Sequence, residues 1–522
     1  MLQQQTEGAT EAGPRPIQAD SNGDGMSVRT ALRSPALLSA VALGILADAL
    51  LGRVPGRPGL NLTLWALAGG AVLVFLLQRR SDPPARESQW FVAGALVFAL
   101  AFTLRDAEAL AAFSVFAGVI LMILAAGRAA TAWASDTQIS DIVFSGARVA
   151  LLCAAGPLGW GRAAPNASAR GSGWTTRGRT LLRGTVMALP ALLVLGALLM
   201  SADPVFARVI RDVFQIDIEP LIEHLAVATF IAWLSAGYLR AILVSDDEIM
   251  DKLRVPKPAL AAAEVSVALW ILNLLFLLFM IVQLRYLFGG ANLVEVTPGL
   301  SYADYARRGF FELVATTALV VPILLVADWA AAPNEARQRT VLRGTMLVLA
   351  VLLLGVIASA AYRMSLYQSA YGLTEDRVYG SMIIVWLTLV LGWLLLTVLR
   401  GRRERFALGA IVAGVTCVGG LHVVNPHALI ARVNLDRAAA GKEYDGSYLR
   451  TLSADAVPVI VARLEQLPQA ERCSAARMLD ERWSGERRGG WRTWNLSDWR
   501  ARRLVAPLTV PPACPPAVKT GK

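Results

Sequence analysis

A chain of 522 residues would ordinarily divide into several soluble domains, but 55% hydrophobic residues, 17% charged residues and a mean hydropathy of +0.51 point to an integral membrane protein. The same composition excludes a disordered chain, a coiled coil and a secreted disulfide scaffold. The net charge of +11 does not indicate a nucleic-acid partner, because the basic residues form short runs between apolar segments instead of one patch.

Residues 1–33 are polar and rich in Gly, Pro, Ser and Gln, which predicts a disordered cytoplasmic tail without a cleavable signal. Residues 34–425 then read as a transmembrane bundle. Eleven apolar stretches approach the roughly 20 residues that cross a hydrocarbon core: 35–52, 59–78, 89–105, 107–127, 181–202, 222–244, 259–288, 306–329, 341–363, 380–399 and 406–424. Lys and Arg favour the cytoplasmic side, and the loops alternate accordingly. Arg79, Arg80 and Arg86 follow the second span, Arg148 to Arg179 the fourth, Lys252, Arg254 and Lys257 the sixth, Arg337 and Arg339 the eighth, and Arg400 to Arg405 the tenth. The intervening loops are poorer in base, with Arg53 and Arg57 the weakest fit. The amino terminus is thus expected inside and the carboxyl tail outside.

Two segments, 137–156 and 204–220, place apolar residues at helical spacing among charges and read as interfacial helices. Residues 157–180 read as a flexible cytoplasmic loop. After Pro426 the chain becomes charged and Trp-rich, predicting a small helical extracytoplasmic domain over 426–522. Ser453 or Asp455 is expected to cap a helix reaching Leu467, Gln469–Trp483 to form a second, and Asn495 or Ser497 to start a third. Cys473 and Cys514 both lie in this tail, where an oxidising compartment permits a disulfide; two free thiols are the alternative.

No phosphate loop or dinucleotide fingerprint occurs, and His224, His422 and His427 have no partners at metal-ligand spacing, so no cofactor and no metal site are expected. Ionisable residues inside spans are costly and are functional candidates by default. They gather at three places: Arg285 at the end of the seventh span, Tyr302, Tyr305, Arg308 and Glu312 at the start of the eighth, and Arg363, Tyr367 and Tyr371 at the end of the ninth. Tyr305, Arg308 and Glu312 share one helix face, as do Arg363, Tyr367 and Tyr371. All approach the outer leaflet in the expected topology, where guanidinium groups suit a phosphate or carboxylate. The alternative is that the tyrosines anchor the interface and that Arg308 and Glu312 pair to hold helices together. Asp48 and Glu264 stand as lone acids, and Pro190 and Pro322 interrupt spans.

The stretch Tyr302–Val314 (YADYARRGFFELV) and the stretch Ala358–Arg377 (ASAAYRMSLYQSAYGLTEDR) resemble a bacterial membrane family catalogued as domain of unknown function 4173, related to the family numbered 4153. Gln283–Gly290, Asn434–Pro458 and Trp491–Leu504 share that resemblance. It covers the second half of the chain, implies a multi-pass protein of the bacterial inner membrane, and supplies no activity and no catalytic residues. The expected fold is therefore an all-α polytopic bundle. Two functions stay open: transport or handling of an anionic lipid or envelope solute at the outer cluster, or a membrane scaffold or sensor presenting the carboxyl domain to an envelope protein. An intramembrane enzyme ranks third, since no nucleophile–base pair is visible.

Overall fold

The computed structural model describes residues 32–52, 58–80, 82–130, 139–160, 218–243, 260–295, 310–332, 335–442, 446–485 and 490–508, with five further positions between 195 and 203. It is all-α. The bundle contains α1 (Arg33–Leu51), α2 (Leu60–Arg80), α3 (Pro83–Leu104), α4 (Glu108–Ala130), α5 (Ile139–Ala155), α6 (Ile218–Leu243), α7 (Ala262–Glu295), α8 (Phe310–Ala330), α9 (Ala336–Tyr371), α10 (Glu375–Thr397) and α11 (Phe406–Val424). A carboxyl-terminal unit follows with α12 (Pro426–Ala439), α13 (Val457–Arg463), α14 (Gln469–Trp483) and α15 (Leu496–Val505). The sheet content among the described residues is one parallel two-residue pairing, β1 (Leu260–Ala261) with β2 (Ala331–Ala332), beside the start of α7.

Among the described residues eleven helices are long and apolar enough to cross a membrane, and the chain is a multi-pass membrane protein. The number agrees with the sequence reading, but the membership differs. Asp141–Leu158 qualifies, although its charges and short length predicted an interfacial helix. The expected span 181–202, the loop 157–180 and the segment 204–220 fall mostly outside the described residues. Helix α5 is held against α4 and α6: Gly146 faces Ile123 of α4, Arg148 donates to the Ala241 carbonyl of α6 (3.1 Å), and Trp233 of α6 donates to the Ala154 carbonyl (2.9 Å). That last bond satisfies a carbonyl at the helix end, where a 3₁₀ turn at Gly156–Gly159 follows.

Apolar side chains pack into two groups. Leu76, Leu77, Val92, Ala125, Leu239 and Ile242 lie in the core shared by α1 to α6, and Leu269, Leu324, Met346, Leu349, Leu353 and Leu391 in that of α7 to α10. Helix α11 bridges them, since Ile411, Val415 and Val418 pack on Leu121 and Leu124 of α4 while α11 also contacts α10. In lipid, helices associate through close packing instead of apolar burial, and small residues permit it. Gly44 and Gly237 serve this on α6's two sides: a Cβ on Gly44 would stand 2.2 Å from the Ala228 carbonyl oxygen, and one on Gly237 would stand 2.2 Å from the Leu152 carbonyl oxygen.

The sides of the bundle are set by hydrogen bonds to the carboxyl-terminal unit. The start of α2, the α3–α4 turn, the α9–α10 turn and the end of α11 all meet it, so they share one face. Arg79, Arg80, Arg128 and the run Arg400–Arg405 lie at the opposite ends of those helices.

Because backbone atoms oppose the missing Cβ, Gly237→Leu forces α5 and α6 apart. The expected loss is about 1–3 kcal/mol, read as a lower melting temperature of the detergent-purified protein, whereas Gly118→Ala, in open space on α4, should leave it unchanged.

Candidate functional site

The core of the carboxyl-terminal unit is continuous with the bundle. Ile430, Leu435, Leu452, Ile460, Leu479 and Val505 pack in one cluster with Ala107 and Leu110 of α4, Val378 and Tyr379 of α10 and Leu421 of α11. Its middle is Asp455, a carboxylate with 1% of its side chain exposed. The Asp455 carboxylate accepts from the backbone N–H groups of Asp106 (2.8 Å) and Ala107 (3.0 Å) and from the Ser497 hydroxyl (2.6 Å), with the Arg105 guanidinium 3.6 Å away. A buried carboxylate survives only when so surrounded. Asp106 reciprocates, accepting from Ala454 N–H at 3.1 Å.

Asn495 completes the joint. Its carbonyl oxygen caps α15 by accepting from Ser497 and Asp498 N–H, while its amide donates to the Phe102 and Arg105 carbonyls (2.8 and 2.7 Å) left open at the end of α3. The Trp494 and Arg492 carbonyls accept from Leu60 and Asn61 N–H, two donors that the start of α2 cannot satisfy internally. Ser453 caps a 3₁₀ turn, Ala454–Ala456, instead of one long helix to Leu467, and Gln469–Trp483 forms as the periodicity predicts.

A second joint closes α9. Gly372 adopts φ +75°, and a Cβ there would meet Asn434 Oδ1 at 2.4 Å. Asn434 of α12 clamps the next residue, accepting from Leu373 N–H and donating to the Leu373 carbonyl, both at 2.8 Å. Arg437 donates to the Ser369 and Ala370 carbonyls, and Arg377 to those of Tyr371 and Gly372. The last carbonyls of a long helix are thereby covered by two arginines, as its dipole favours. Nearby, Tyr448 accepts from Glu375 N–H, and burial raises its phenol above the usual range, keeping it protonated. His427 accepts from Ser453 N–H at Nδ1, and its Nε2 lies 3.3 Å from Glu375 Oε1.

Against this frame the expected outer cluster divides. Arg363 is buried in α9, where its guanidinium donates to Gln283 Oε1 of α7 (2.8 Å), and Ser359 donates to the same oxygen (3.3 Å). Eight residues before the helix end, Arg363 lies roughly 12 Å below the α9 terminus at 1.5 Å per residue. Tyr367 and Tyr371 continue its face with ring centroids 5.4 Å apart, and Arg377 stacks over Tyr367 at 3.9 Å. Glu312 is exposed in the first turn of α8, which begins at Phe310. Tyr302, Tyr305 and Arg308 lie outside the described residues, and so does the Arg285 side chain, although its backbone belongs to α7. The expected Arg308–Glu312 pair is therefore outside them as well.

Asp48 is not a lone acid: its carboxylate and the His224 ring of α6 approach to 2.7 Å. Cys473 is disulfide-bonded, Cys153 and Cys417 are free thiols, and Cys514 lies outside the described residues. No group of three His, Cys, Asp or Glu able to hold a metal occurs among the described residues.

With this geometry in place, the chain belongs to the family described as Domain of unknown function (DUF4153), whose model matches residues 92–462. The match takes in α4 to α12 and both Asp106 and Asp455, reaching well into the first half, but ends before Trp491–Leu504. No curated protein and no solved structure matches.

Asp455→Ala leaves the Arg105–Ala107 turn without its acceptor, and Asn495→Ala removes a helix cap and two buried bonds. Each should cost about 2–4 kcal/mol. Limited proteolysis of the purified protein should then cut the unit from the bundle in either variant before the bundle itself is cleaved.

Proposed function

We propose that this family member handles an anionic lipid or envelope solute on the face that carries the carboxyl-terminal unit, with Arg285, Tyr302, Tyr305, Arg308, Glu312, Arg363, Tyr367 and Tyr371 as the binding region. The observation that carries this reading is Arg363, a guanidinium buried inside a candidate span and held by Gln283, to whose Oε1 Ser359 also donates. A charge inside a span is costly and marks a functional candidate, and a guanidinium near the outer end of a helix suits a ligand of opposite sign. The tyrosine rings and Arg377 continue the polar path from Arg363 to the surface.

The second reading, a scaffold presenting the carboxyl-terminal unit to an envelope protein, is favoured by the unit's fixed attachment and by exposed Trp491, Trp499 and Leu504. The two separate by native mass spectrometry of the full chain in mild detergent with added phosphatidylglycerol. An anionic adduct that falls about tenfold in Arg363→Gln, at unchanged melting temperature, supports handling. Equal adducts in both proteins, or none in either, overturn it and leave the scaffold.

Further parts of the proposal are placement in the bacterial inner membrane with the amino terminus inside and the carboxyl-terminal unit outside, kinship with the related 4173 family through Tyr302–Val314 and Ala358–Arg377, and pairing of Cys473 with Cys514. The bonded state of Cys473 supports the outward side, where disulfides persist. A cysteine placed at Ser447 should label with an impermeant reagent on intact cells and one at Arg402 should not, and unreduced digests should contain the Cys473–Cys514 peptide. The reverse labelling pattern would invert the bundle and remove the outward site.

A further inference from the structure

A groove of about 610 Å³ opens on the opposite face, between the end of α2 and the start of α3, lined by Val74, Leu77, Gln78, Arg86, Gln89, Trp90 and Ala93. Its size is that of a small-molecule site. Its lining is ordered by depth. Gln78 and Arg86 lie within three residues of the helix ends at Arg80 and Pro83, whereas Val74, Trp90 and Ala93 lie farther into the span. A polar rim above an apolar slot, on helices that cross the bilayer, matches the polarity of a phospholipid and not that of a soluble metabolite.

Charge at the rim is also one-sided. The two acids of this turn are already engaged, Asp82 with Arg80 (2.7 Å) and Glu87 with Arg128 (2.5 Å). Arg86 is exposed, with no ion-pair partner among the described residues, and Arg79 lies over the Phe75 ring at 5.1 Å. Two guanidinium groups are thus left at these helix ends with no acid paired to them among the described residues. Trp90, 79% exposed, supplies the amphipathic ring favoured at membrane interfaces.

We infer that this groove binds one anionic phospholipid of the adjoining leaflet, its phosphate at Arg86 with the Gln89 amide beside it, and an acyl chain along Val74 and Ala93 under Trp90. This site is separate from the region around Arg363 and does not depend on it. It places a regulatory or structural lipid against the α2–α3 hairpin, whose far end, at Leu60 and Leu104, is joined to the carboxyl-terminal unit.

The test uses the full chain in mild detergent with equimolar phosphatidylglycerol and phosphatidylcholine, read by native mass spectrometry. Wild type should retain one phosphatidylglycerol with a preference of about fivefold, the worth of one basic residue at an anionic surface. Arg86→Gln should erase the preference, and Ala93→Trp, which fills the slot without touching charge, should reduce retention of both lipids. Arg363→Gln should leave this adduct intact, which separates the two sites. Preference unchanged in Arg86→Gln, or retention unchanged in Ala93→Trp, would overturn the assignment.

Discussion

The carboxylate of Asp455 sets the relation between the two parts of this molecule. A buried charge in this position must find donors, and it finds them in the backbone of a turn nearly 350 residues earlier, at Asp106 and Ala107. Because α3 and α4 are joined by so short a turn, its N–H groups and the carbonyls at the end of α3 are left open and would otherwise need water. Asp455, Ser497 and Asn495 take the place of that water. Around them the side chains of Leu110, Val378 and Leu421 merge with those of the carboxyl-terminal unit into one apolar cluster. The unit is therefore a cover built onto the helix ends, and its thin core is completed by the bundle.

How much of this was legible in the sequence follows from which forces act locally. Span length and the arginine pattern are local, so the bundle class and the relative sides of the turns that join the described helices can be read directly; Arg162 to Arg179 lie outside the described residues. Segment 137–156 misled because its charges, Asp141 and Arg148, indicate an interface when taken alone. The structure places Arg148 against the Ala241 carbonyl, a partner that no periodicity reveals. The caps Ser453 and Asn495 were legible as helix starts, but their second role, bonding to the ends of bundle helices, depends on contacts across hundreds of residues. Of the two tail segments singled out for resemblance, Asn434–Pro458 lies within the family match and holds Asn434, Ser453 and Asp455, whereas Trp491–Leu504, with Asn495 and Ser497, lies beyond it.

The site reading has the same structure. Arg363, Tyr367 and Tyr371 share a face because α9 continues unbroken for 36 residues, which the heptad-scale spacing anticipates. That Gln283 would hold Arg363 was not readable, because it requires the pairing of α7 with α9. Asp48 illustrates the converse: an apparently isolated acid acquires His224 only through the close approach that Gly44 allows between α1 and α6.

Handling and presentation are less distinct than their labels suggest. Arg363 and the last turn of α9 are parts of one helix, and that turn is gripped by Asn434 and Arg437 of α12. Helix α12 begins at Pro426, one residue after α11, with Asn425 as its cap, and its neighbours carry Asp455. A displacement of the carboxyl-terminal unit would thus have to break the clamp at Leu373 or carry the end of α9 with it. By reciprocity of linked equilibria, a ligand that binds one arrangement of α9 more tightly also favours one arrangement of the unit. An anion at Arg363 and a protein on the outer surface of the unit would then act on the same joint, from opposite sides.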